Sequence, residues 1–413
     1  MPRLNRILAL ATAAGLLALG APALADPPTV QPYAWRSVEI LGGGFVSGVV
    51  YHPTEKGLVY ARTDIGGAYR LDRATNAWVA LNDGLKRADN QLAGALSLAV
   101  DPQDSRRLYM AAGEYTRGGA RGGAVLASVD RGVTWTKAEL PVKIGGNEDG
   151  RNTGERLMVD PHKGAVLLLG ARDGLYRSAD HGATWSRVEA FPHLHVTLVA
   201  FDPVEQTKTG ETAIIYAGVA AERGGGVLVS TDGGVTWGLV NGQPKGLVPQ
   251  HLAIDAKGVV YITYGNGLGP NGVTDGAVWK MDPDSGAWTD ITPVKPMNSD
   301  VFGYGGLSLD PVHPGVVMVS TLDRWGVGDD VFRSLDGGKT WRALAASPPR
   351  DAGKETGRIA LSADGQRMVW AMRRTAPYVS SDQGKTWRPV QGISPASHAS
   401  NSGAGLSPST LRT

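Results

Sequence analysis

The stretch "SVDRGVTW", Ser128 to Trp135, decides the fold because the chain repeats it. Four further copies keep the pattern Ser-x-Asp-x-Gly-x-Thr-Trp: "SADHGATW" ending at Trp185, "STDGGVTW" at Trp237, "SLDGGKTW" at Trp341 and "SSDQGKTW" at Trp387. Two degenerate copies, "LDRATNAW" at Trp78 and "MDPDSGAW" at Trp288, fall in step with them. Repeats at one period of about 50 residues are typical of folds built by stacking one supersecondary unit many times.

This pattern is the Asp-box, also called the bacterial neuraminidase repeat, and its chemistry is that of a turn. The aspartate can accept hydrogen bonds from the backbone of its own turn. The glycine supplies the backbone freedom of the turn, and the tryptophan ring packs against the neighbouring hairpin. We therefore predict a structural role, and not metal or substrate binding, for the five box aspartates: Asp130, Asp180, Asp232, Asp336 and Asp382.

Three short apolar runs precede each box and one short strand follows it. Four strands per unit, in seven units, predict an all-β fold, a seven-bladed β-propeller with Asp-box repeats. A β-solenoid is the alternative, but its repeats are shorter and more uniform. The stretch "AWRSVEI" from Ala34 resembles "TWRPVQG", which follows the last box. Either stretch can supply the strand that closes the ring, and the sequence leaves this choice open.

The two ends of the chain differ in composition from the repeats. Arg3 and Arg6, an apolar run over 7–20 and "APALA" predict a signal peptide, 1–25, cleaved after Ala25. We therefore expect a secreted or periplasmic protein, with the propeller over 26–392. The Ser-, Gly- and Pro-rich segment 393–413 predicts a disordered tail.

Composition excludes several classes of function. The chain has no cysteine and a formal net charge of +2, so neither thiol-bound metal nor binding to nucleic acid or an anionic membrane is indicated. The eight histidines are scattered without metal-ligand spacing. We expect no metal, no cofactor and a monomer.

The alternation of loops between the two faces of the propeller places the chemically varied loops on one face. In an antiparallel four-stranded unit, the loop between the first two strands and the Asp-box lie on one face. The loops between the second and third strands lie on the other, and these are long, varied and rich in aromatic and charged residues. Such loops on a rigid scaffold usually carry function. Asp64, in "RTDIGGAYR", lies on this second face by parity.

Carboxylates beside exposed aromatic rings suit carbohydrate, because rings cover the apolar faces of sugars and carboxylates bind hydroxyls or catalyse at the glycosidic bond. We therefore predict a polysaccharide as the partner. The predicted substrate-binding residues are Arg62, Tyr69, Tyr115, Arg151, Tyr264 and Trp325.

Several long stretches resemble the first propeller of glycoside hydrolase family 74. They include "GGGFVSGVVYHPTEKGLVYARTDIGGAYRLD", "KIGGNEDGRNTGERLMVDP" and "STLDRWGVGDDVFRSLDGGKTW", in the family's order. The resemblance implies a secreted xyloglucanase that hydrolyses the β-1,4-glucan backbone of xyloglucan with inversion. It also implies that Asp64 is the catalytic base, which Arg62 or Arg70 would help to keep ionised.

The chain departs from the family at the catalytic acid. The family's acid lies in a second propeller, in a motif resembling "GDVGGF", which this sequence lacks, so we expect a truncated or internally deleted relative with impaired activity. Glu148 or Asp149 could serve as the acid instead. The alternatives are a non-catalytic carbohydrate-binding propeller, a sialidase, for which no N-terminal arginine motif is present, and a protein-binding propeller.

Overall fold

Four consecutive antiparallel strands form each sheet of the computed structural model, and seven such sheets follow one another in the part of the chain that the structure describes. The structure describes residues 45–72, 77–192, 194–221, 224–324, 328–344, 355–361, 366–373 and 378–389, all of which fall in the unit 35–413. The predicted signal peptide, the strand at Ala34 and the predicted tail lie outside these ranges. Within them, no helix has the length and apolar character needed to cross a membrane.

The strands are grouped here by their position within a sheet. The first strands are β1 (Val46–Tyr51), β5 (Ala95–Val100), β9 (Leu157–Val159), β13 (His195–Phe201), β17 (Val248–Ile254), β21 (Gly303–Leu309) and β25 (Glu355–Leu361). The second strands are β2 (Val59–Thr63), β6 (Leu108–Ala112), β10 (Leu167–Ala171), β14 (Ile215–Ala221), β18 (Val260–Gly265), β22 (Val317–Leu322) and β26 (Met368–Arg373).

The third strands are β3 (Ala68–Asp72), β7 (Ala124–Ser128), β11 (Gly174–Ser178), β15 (Gly224–Ser230), β19 (Gly276–Met281), β23 (Val331–Ser334) and β27 (Tyr378–Ser380). The fourth strands are β4 (Ala77–Ala80), β8 (Thr136–Glu139), β12 (Ser186–Arg187), β16 (Gly238–Leu239), β20 (Trp288–Asp290), β24 (Arg342–Ala343) and β28 (Arg388–Pro389). A 3-10 helix, Arg87–Ala93, precedes β5.

The seven sheets form a closed ring. Each first strand contacts the first strand of the next sheet, and β25 contacts β1. This arrangement confirms the prediction of an all-β propeller with Asp-box repeats. The seventh sheet takes its fourth strand, β28, from the segment after the last box.

The hydrophobic core lies between neighbouring sheets. One cluster joins Leu58 and Tyr60 of the first sheet to Leu98 and Leu108 of the second, and similar clusters occupy the following interfaces. Strands β2, β6, β10, β18 and β22 are buried along their whole length because sheets cover both of their faces. Apolar residues therefore predominate in these strands without alternating with polar ones, although β2 ends in Arg62 and Thr63 and β22 contains Ser320 and Thr321.

Each Asp-box aspartate is held by its own turn. Asp130 accepts hydrogen bonds from the Thr134 N–H at 2.8 Å, the Thr134 hydroxyl at 2.6 Å and the Ser128 hydroxyl at 2.7 Å. The hydroxyl and backbone donors of Thr134 lower the pKa of Asp130 to about 2. The same donors surround Asp180, Asp232, Asp336 and Asp382.

Some box tryptophans also connect neighbouring sheets. The Trp135 indole N–H donates to the Leu81 carbonyl of the preceding sheet at 2.8 Å, and Trp341 donates to the Ile291 carbonyl at 2.7 Å. Trp237 bonds to its own turn instead, and its ring lies edge-on to Phe191 with centroids 5.1 Å apart. The repeat therefore stabilises both the turn and the packing of one sheet on the next.

An ion pair between Arg62 and Glu155 joins the first three sheets. Arg62, in β2, is fully buried, and its Nη2 donates to Glu155 Oε1 at 2.9 Å. Glu155 Oε2 accepts from the Ser97 hydroxyl at 2.6 Å and the Leu98 N–H at 3.0 Å, both in β5. A Cβ at Gly48 in β1 would lie 2.5 Å from Arg62 Nε, so only glycine leaves room for the pair. The prediction that Arg62 binds substrate is therefore wrong, because its buried guanidinium is paired with Glu155.

We expect the box aspartates to make stability pH-dependent. Asp180 has its pKa lowered to about 2 by the Thr184 hydroxyl and backbone N–H. Its contribution is therefore complete above the ordinary aspartate pKa of about 3.9 and is lost as the pH falls toward the folded value. Asp180→Asn should lower Tm by roughly 2–5 °C at pH 7 and by less at pH 2.

The measurement is calorimetric unfolding at several pH values. The control is Asp284→Asn, at an exposed position of a degenerate box, which should leave Tm unchanged. An equal loss of Tm at pH 7 and pH 2 in Asp180→Asn would show that the charge of Asp180 is not what holds the turn.

We expect removal of the Glu155 charge to destabilise the propeller strongly. Glu155→Gln leaves the Arg62 guanidinium buried without its counter-ion, which should cost about 3 kcal/mol of unfolding free energy. The pair of Arg131 and Glu55 is a matched control, because both side chains are more than 30% exposed. Glu55→Gln should cost about 0–1 kcal/mol. Denaturant unfolding measures both, and equal losses would contradict the central role of Arg62 and Glu155.

Candidate functional site

Asp64 lies in the turn between β2 and β3, at the end of the first sheet opposite to the Asp-boxes. The turn is closed by Thr63, whose hydroxyl donates to the Gly67 carbonyl and accepts from the Gly66 N–H, each at 2.9 Å. The Phe45 N–H donates to Asp64 Oδ1 at 2.7 Å, and the Asp64 N–H donates to the Phe45 carbonyl at 3.1 Å. The carboxyl is therefore fixed against the chain that leads into β1.

The Asp64 carboxyl is buried but retains partners that favour its charge. Burial raises the pKa of Asp64, while the Phe45 N–H and the Arg151 guanidinium act in the opposite direction. Arg151 Nε lies 3.8 Å from Asp64 Oδ2. The cation that helps to keep Asp64 ionised is thus Arg151. The expectation of Arg62 or Arg70 is wrong, because Arg70 donates to the Arg131 carbonyl within an Asp-box turn.

A segment between the second and third sheets, residues 145–156, crosses the ring beside Asp64. We call it the bridging segment. Its Gly146 N–H donates to the Gly113 carbonyl of the second sheet at 2.8 Å, and its Gly150 N–H donates to the Gly269 carbonyl of the fifth sheet at 2.7 Å. The Arg151 carbonyl accepts from Arg62 at 2.9 Å. The bridging segment thereby fixes Arg151 relative to three sheets.

Arg156, at the end of the bridging segment, fixes the segment by hydrogen bonds. Its guanidinium donates to the Gly150 carbonyl at 2.6 Å and to the Thr153 hydroxyl at 2.9 Å. It also lies 3.0 Å from His195 Nε2. Burial and the neighbouring Arg156 lower the pKa of His195 to about 3, so this imidazole is neutral and can accept from the guanidinium.

Tyr115 lies in the corresponding loop of the second sheet, between β6 and β7. Its hydroxyl accepts from the Asn147 amide of the bridging segment at 2.9 Å. The Arg117 guanidinium lies 4.0 Å from the ring centroid and covers one face of the ring. Tyr115 and Arg151 are both half-buried, and the loops that carry them are in contact with each other.

Two predicted substrate-binding tyrosines are structural instead. Tyr69 is 1% exposed, and its hydroxyl donates to the Gly66 carbonyl at 2.8 Å, which supports the Asp64 turn. Tyr264, in β18, is fully buried in the core between the fourth and fifth sheets. Neither ring can contact a ligand without unfolding of its surroundings, so both predictions are wrong. Trp325 lies outside the described residues.

The predicted alternative acids differ in their surroundings. Glu148 accepts from the Thr116 N–H at 2.7 Å and the Thr116 hydroxyl at 2.6 Å, and it faces Arg172 at 3.4 Å. The two Thr116 donors thus occupy both oxygens of the Glu148 carboxyl. Asp149 is exposed.

The negative charge of Asp64 acts on a different carboxyl group, that of Glu114. It is half-buried, and burial, followed by the charge of Asp64, raises its pKa. Glu114 is the second residue after β6, whereas Asp64 directly follows β2, and this similar place in the repeat is the signal that the sequence offers. Among the described residues, no group of three or more His, Asp or Glu side chains is placed to hold a metal ion.

Comparison with known proteins supports the family resemblance that the loop sequences indicate. A sequence profile described as BNR/Asp-box repeat matches residues 378–389. A xyloglucanase of Paenibacillus sp is 44% identical over 358 residues, which cover 82% of this chain and 35% of the relative. A xyloglucanase of Acetivibrio thermocellus is 44% identical over 338 residues, covering 76% of this chain and 40% of the relative.

The solved structures agree with this picture. The crystal structure of the GH74 xyloglucanase from Xanthomonas campestris superposes with a TM-score of 0.79 at 40% identity, and the match covers 87% of this chain and 56% of that one. The chain thus spans between a third and two fifths of the length of the two curated relatives above. With the Asp-box repeats and the Asp64 turn, these similarities show that the chain belongs to glycoside hydrolase family 74.

Proposed function

We propose that the protein hydrolyses the β-1,4-glucan backbone of xyloglucan with inversion, and that Asp64 is the general base. The single observation that supports this best is the Asp64 carboxyl, buried yet held beside Arg151, on the propeller face that carries the varied loops. Relatives that are 44% identical are xyloglucanases.

In this reaction Asp64 accepts a proton from a water molecule. The water oxygen attacks the anomeric carbon, and the bond to the leaving sugar oxygen breaks on the opposite side. A base must be ionised to do this, and the Phe45 N–H and Arg151 favour the ionised form of Asp64. An inverting enzyme also needs an acid about 6.5–9.5 Å from the base, which leaves room for the water.

We propose that the glucan chain lies along the loops beside Asp64, in contact with Tyr115 and Arg151. Tyr115 keeps part of its ring exposed, and Arg151 is positioned by the bridging segment. A ring against the apolar face of a sugar and a guanidinium against its hydroxyls are suited to this ligand. We further propose that the protein acts as a secreted or periplasmic monomer without a cofactor.

Asp64→Asn should lower kcat/KM on a xyloglucan oligosaccharide by about 10²–10⁴-fold, because the amide cannot accept the proton of the attacking water. Binding of xyloglucan should persist, since the side chain keeps its size. Release of reducing sugar measures the first, and affinity electrophoresis in xyloglucan measures the second. A wild-type protein that is retarded by xyloglucan but releases no sugar would favour the non-catalytic carbohydrate-binding propeller.

Arg151→Gln should change the pH dependence of catalysis. The substitution removes a positive charge that opposes the effect of burial, so the pKa of Asp64 should rise further. Asp64 then becomes protonated at a higher pH, and the acid limb of kcat/KM moves upward. The loss of activity should be large near pH 5 and small near pH 8. Arg172→Gln, an exposed arginine that faces Glu148, is the control and should leave the limb in place.

If Arg151→Gln lowers kcat/KM by the same factor at every pH, this role of Arg151 is contradicted. Such a result would mean that Arg151 only binds substrate or supports the fold, and that Asp64 is kept ionised without it.

A further inference from the structure

A small pocket opens between the second and third sheets, on the same face as Asp64. Ala171, the last residue of β10, and His195, the first residue of β13, line it from the sheets. Gly145 and Arg156 line it from the two ends of the bridging segment. The pocket has room for a single group of about the size of a water molecule.

Arg156 brings a buried positive charge to this pocket. The residue is only 3% exposed, and the acceptors of its hydrogen bonds are all neutral groups. They are the Gly150 carbonyl at 2.6 Å, the Thr153 hydroxyl at 2.9 Å and His195 Nε2 at 3.0 Å. A buried cation without an anion in direct contact is costly, because neutral acceptors do not replace the water that it has lost.

The carboxylate that acts on Arg156 is already shared. Glu155 pairs with Arg62 at 2.9 Å and also accepts from Ser97 and from the Leu98 N–H. Burial, followed by the charge of Arg62, lowers the pKa of Arg156 to about 9, and Glu155 acts in the opposite direction. The two guanidinium groups therefore carry one more positive charge than the carboxylate between them.

The outer part of the pocket does not cancel this excess. Lys143 Nζ donates to a neutral group, the Arg117 carbonyl, at 3.3 Å. Arg172 Nη1 lies 3.4 Å from Glu148 Oε2, so these two charges offset each other. Asp149 is the other carboxylate of the lining, and it is exposed to solvent. Lys143 and the buried Arg156 thus face one exposed carboxylate.

Three N–H groups of the lining have no acceptor within the described part of the chain. One of the two hydrogens on Arg156 Nη1 points to His195 Nε2, and the other has no partner. Burial lowers the pKa of His195 to about 3, so the ring is neutral and carries its proton on Nδ1. That Nδ1–H and the Gly145 N–H are the other two donors. N–H groups around a small concavity favour a negatively charged ligand.

We infer that this pocket binds a small monovalent anion of the size of chloride, held by the Arg156 guanidinium, the His195 Nδ1–H and the Gly145 N–H. A water molecule would satisfy the same donors but would leave the charge of Arg156 unbalanced. Sulfate and carboxylate ions are too large for the space. The inference does not depend on the proposed hydrolysis of xyloglucan, because the pocket and its charges are independent of it.

The anion has a structural consequence for the Asp64 face. Arg156 holds the Gly150 carbonyl and the Thr153 hydroxyl, and Arg151 lies between these two residues in the bridging segment. Balancing the charge of Arg156 therefore stabilises the segment that positions Arg151 beside Asp64. Because the anion binds the folded protein, it also raises stability by mass action.

Thermal unfolding with sodium chloride or sodium bromide measures this binding. The ionic strength is held constant with sodium gluconate, whose anion is too large for the pocket. Replacing gluconate by chloride or bromide should raise Tm by about 1–3 °C, with saturation as the halide concentration increases. An equal Tm in halide and in gluconate overturns the inference.

Ala171→Val tests the location of the site. The substitution adds two methyl groups to the wall of the pocket and leaves every charge in place, so the halide response should disappear. Ala138→Val, at a partly exposed position of β8, is the matched control and should keep the full response. A response that survives in Ala171→Val overturns the assignment to this pocket, because the halide then acts elsewhere.

Lys143→Gln tests the charge of the ligand. Removal of this half-buried cation should weaken halide binding roughly two- to fivefold without abolishing it. Unchanged halide affinity in Lys143→Gln counts against an anion at this place.

A crystal of the wild-type protein grown in sodium bromide gives the position directly, from the anomalous scattering of bromide. The expected result is a peak within hydrogen-bond distance of Arg156 Nη1 that is absent in Ala171→Val. Bromide found only at exposed lysine and arginine side chains overturns the inference. None of these measurements uses xyloglucan, so a failure of the proposed function would leave their outcome unchanged.

Discussion

The ion pair between Arg62 and Glu155 is the interaction on which the Asp64 face depends. A buried ion pair must recover the cost of removing two charges from water, and it does so only when further hydrogen bonds satisfy both groups. Here Ser47, Ser97 and the Leu98 N–H provide them. The same guanidinium donates to the Arg151 carbonyl. The ion pair therefore joins the first strands of the ring, and its arginine also positions Arg151, which faces Asp64.

The two faces of the propeller use aspartate in opposite ways. In the Asp-boxes, donors from the same turn surround exposed carboxylates, and the pKa of Asp130, Asp180 and Asp232 falls to about 2. These groups are fixed as anions and stabilise turns. At Asp64 burial dominates and raises the pKa. A raised pKa makes a carboxylate a stronger base, which suits catalysis, whereas the lowered pKa of the box carboxylates does not.

The fold was predictable because the repeat is local. Each box specifies its own turn, and its tryptophan reaches only to the neighbouring sheet, so eight residues carry the information. The face on which Asp64 lies could be predicted from the order of the strands, because successive loops of an antiparallel sheet alternate between its two ends. Arg62 and Tyr264 were assigned wrongly because their burial depends on partners distant in the sequence, and Tyr69 because its hydroxyl turns back to the Gly66 carbonyl. Glu155 lies 93 residues from Arg62, and no pattern in the sequence connects them.

The central claim is that the Asp64 face, and not the Asp-box face, binds and cleaves the glucan. The most direct test is a crystal structure of Asp64→Asn protein with a bound xyloglucan oligosaccharide. The account predicts that a glycosidic bond lies beside Asn at position 64, with a sugar ring against Tyr115. An oligosaccharide bound on the Asp-box face, or one bound with its glycosidic bonds remote from position 64, would contradict it.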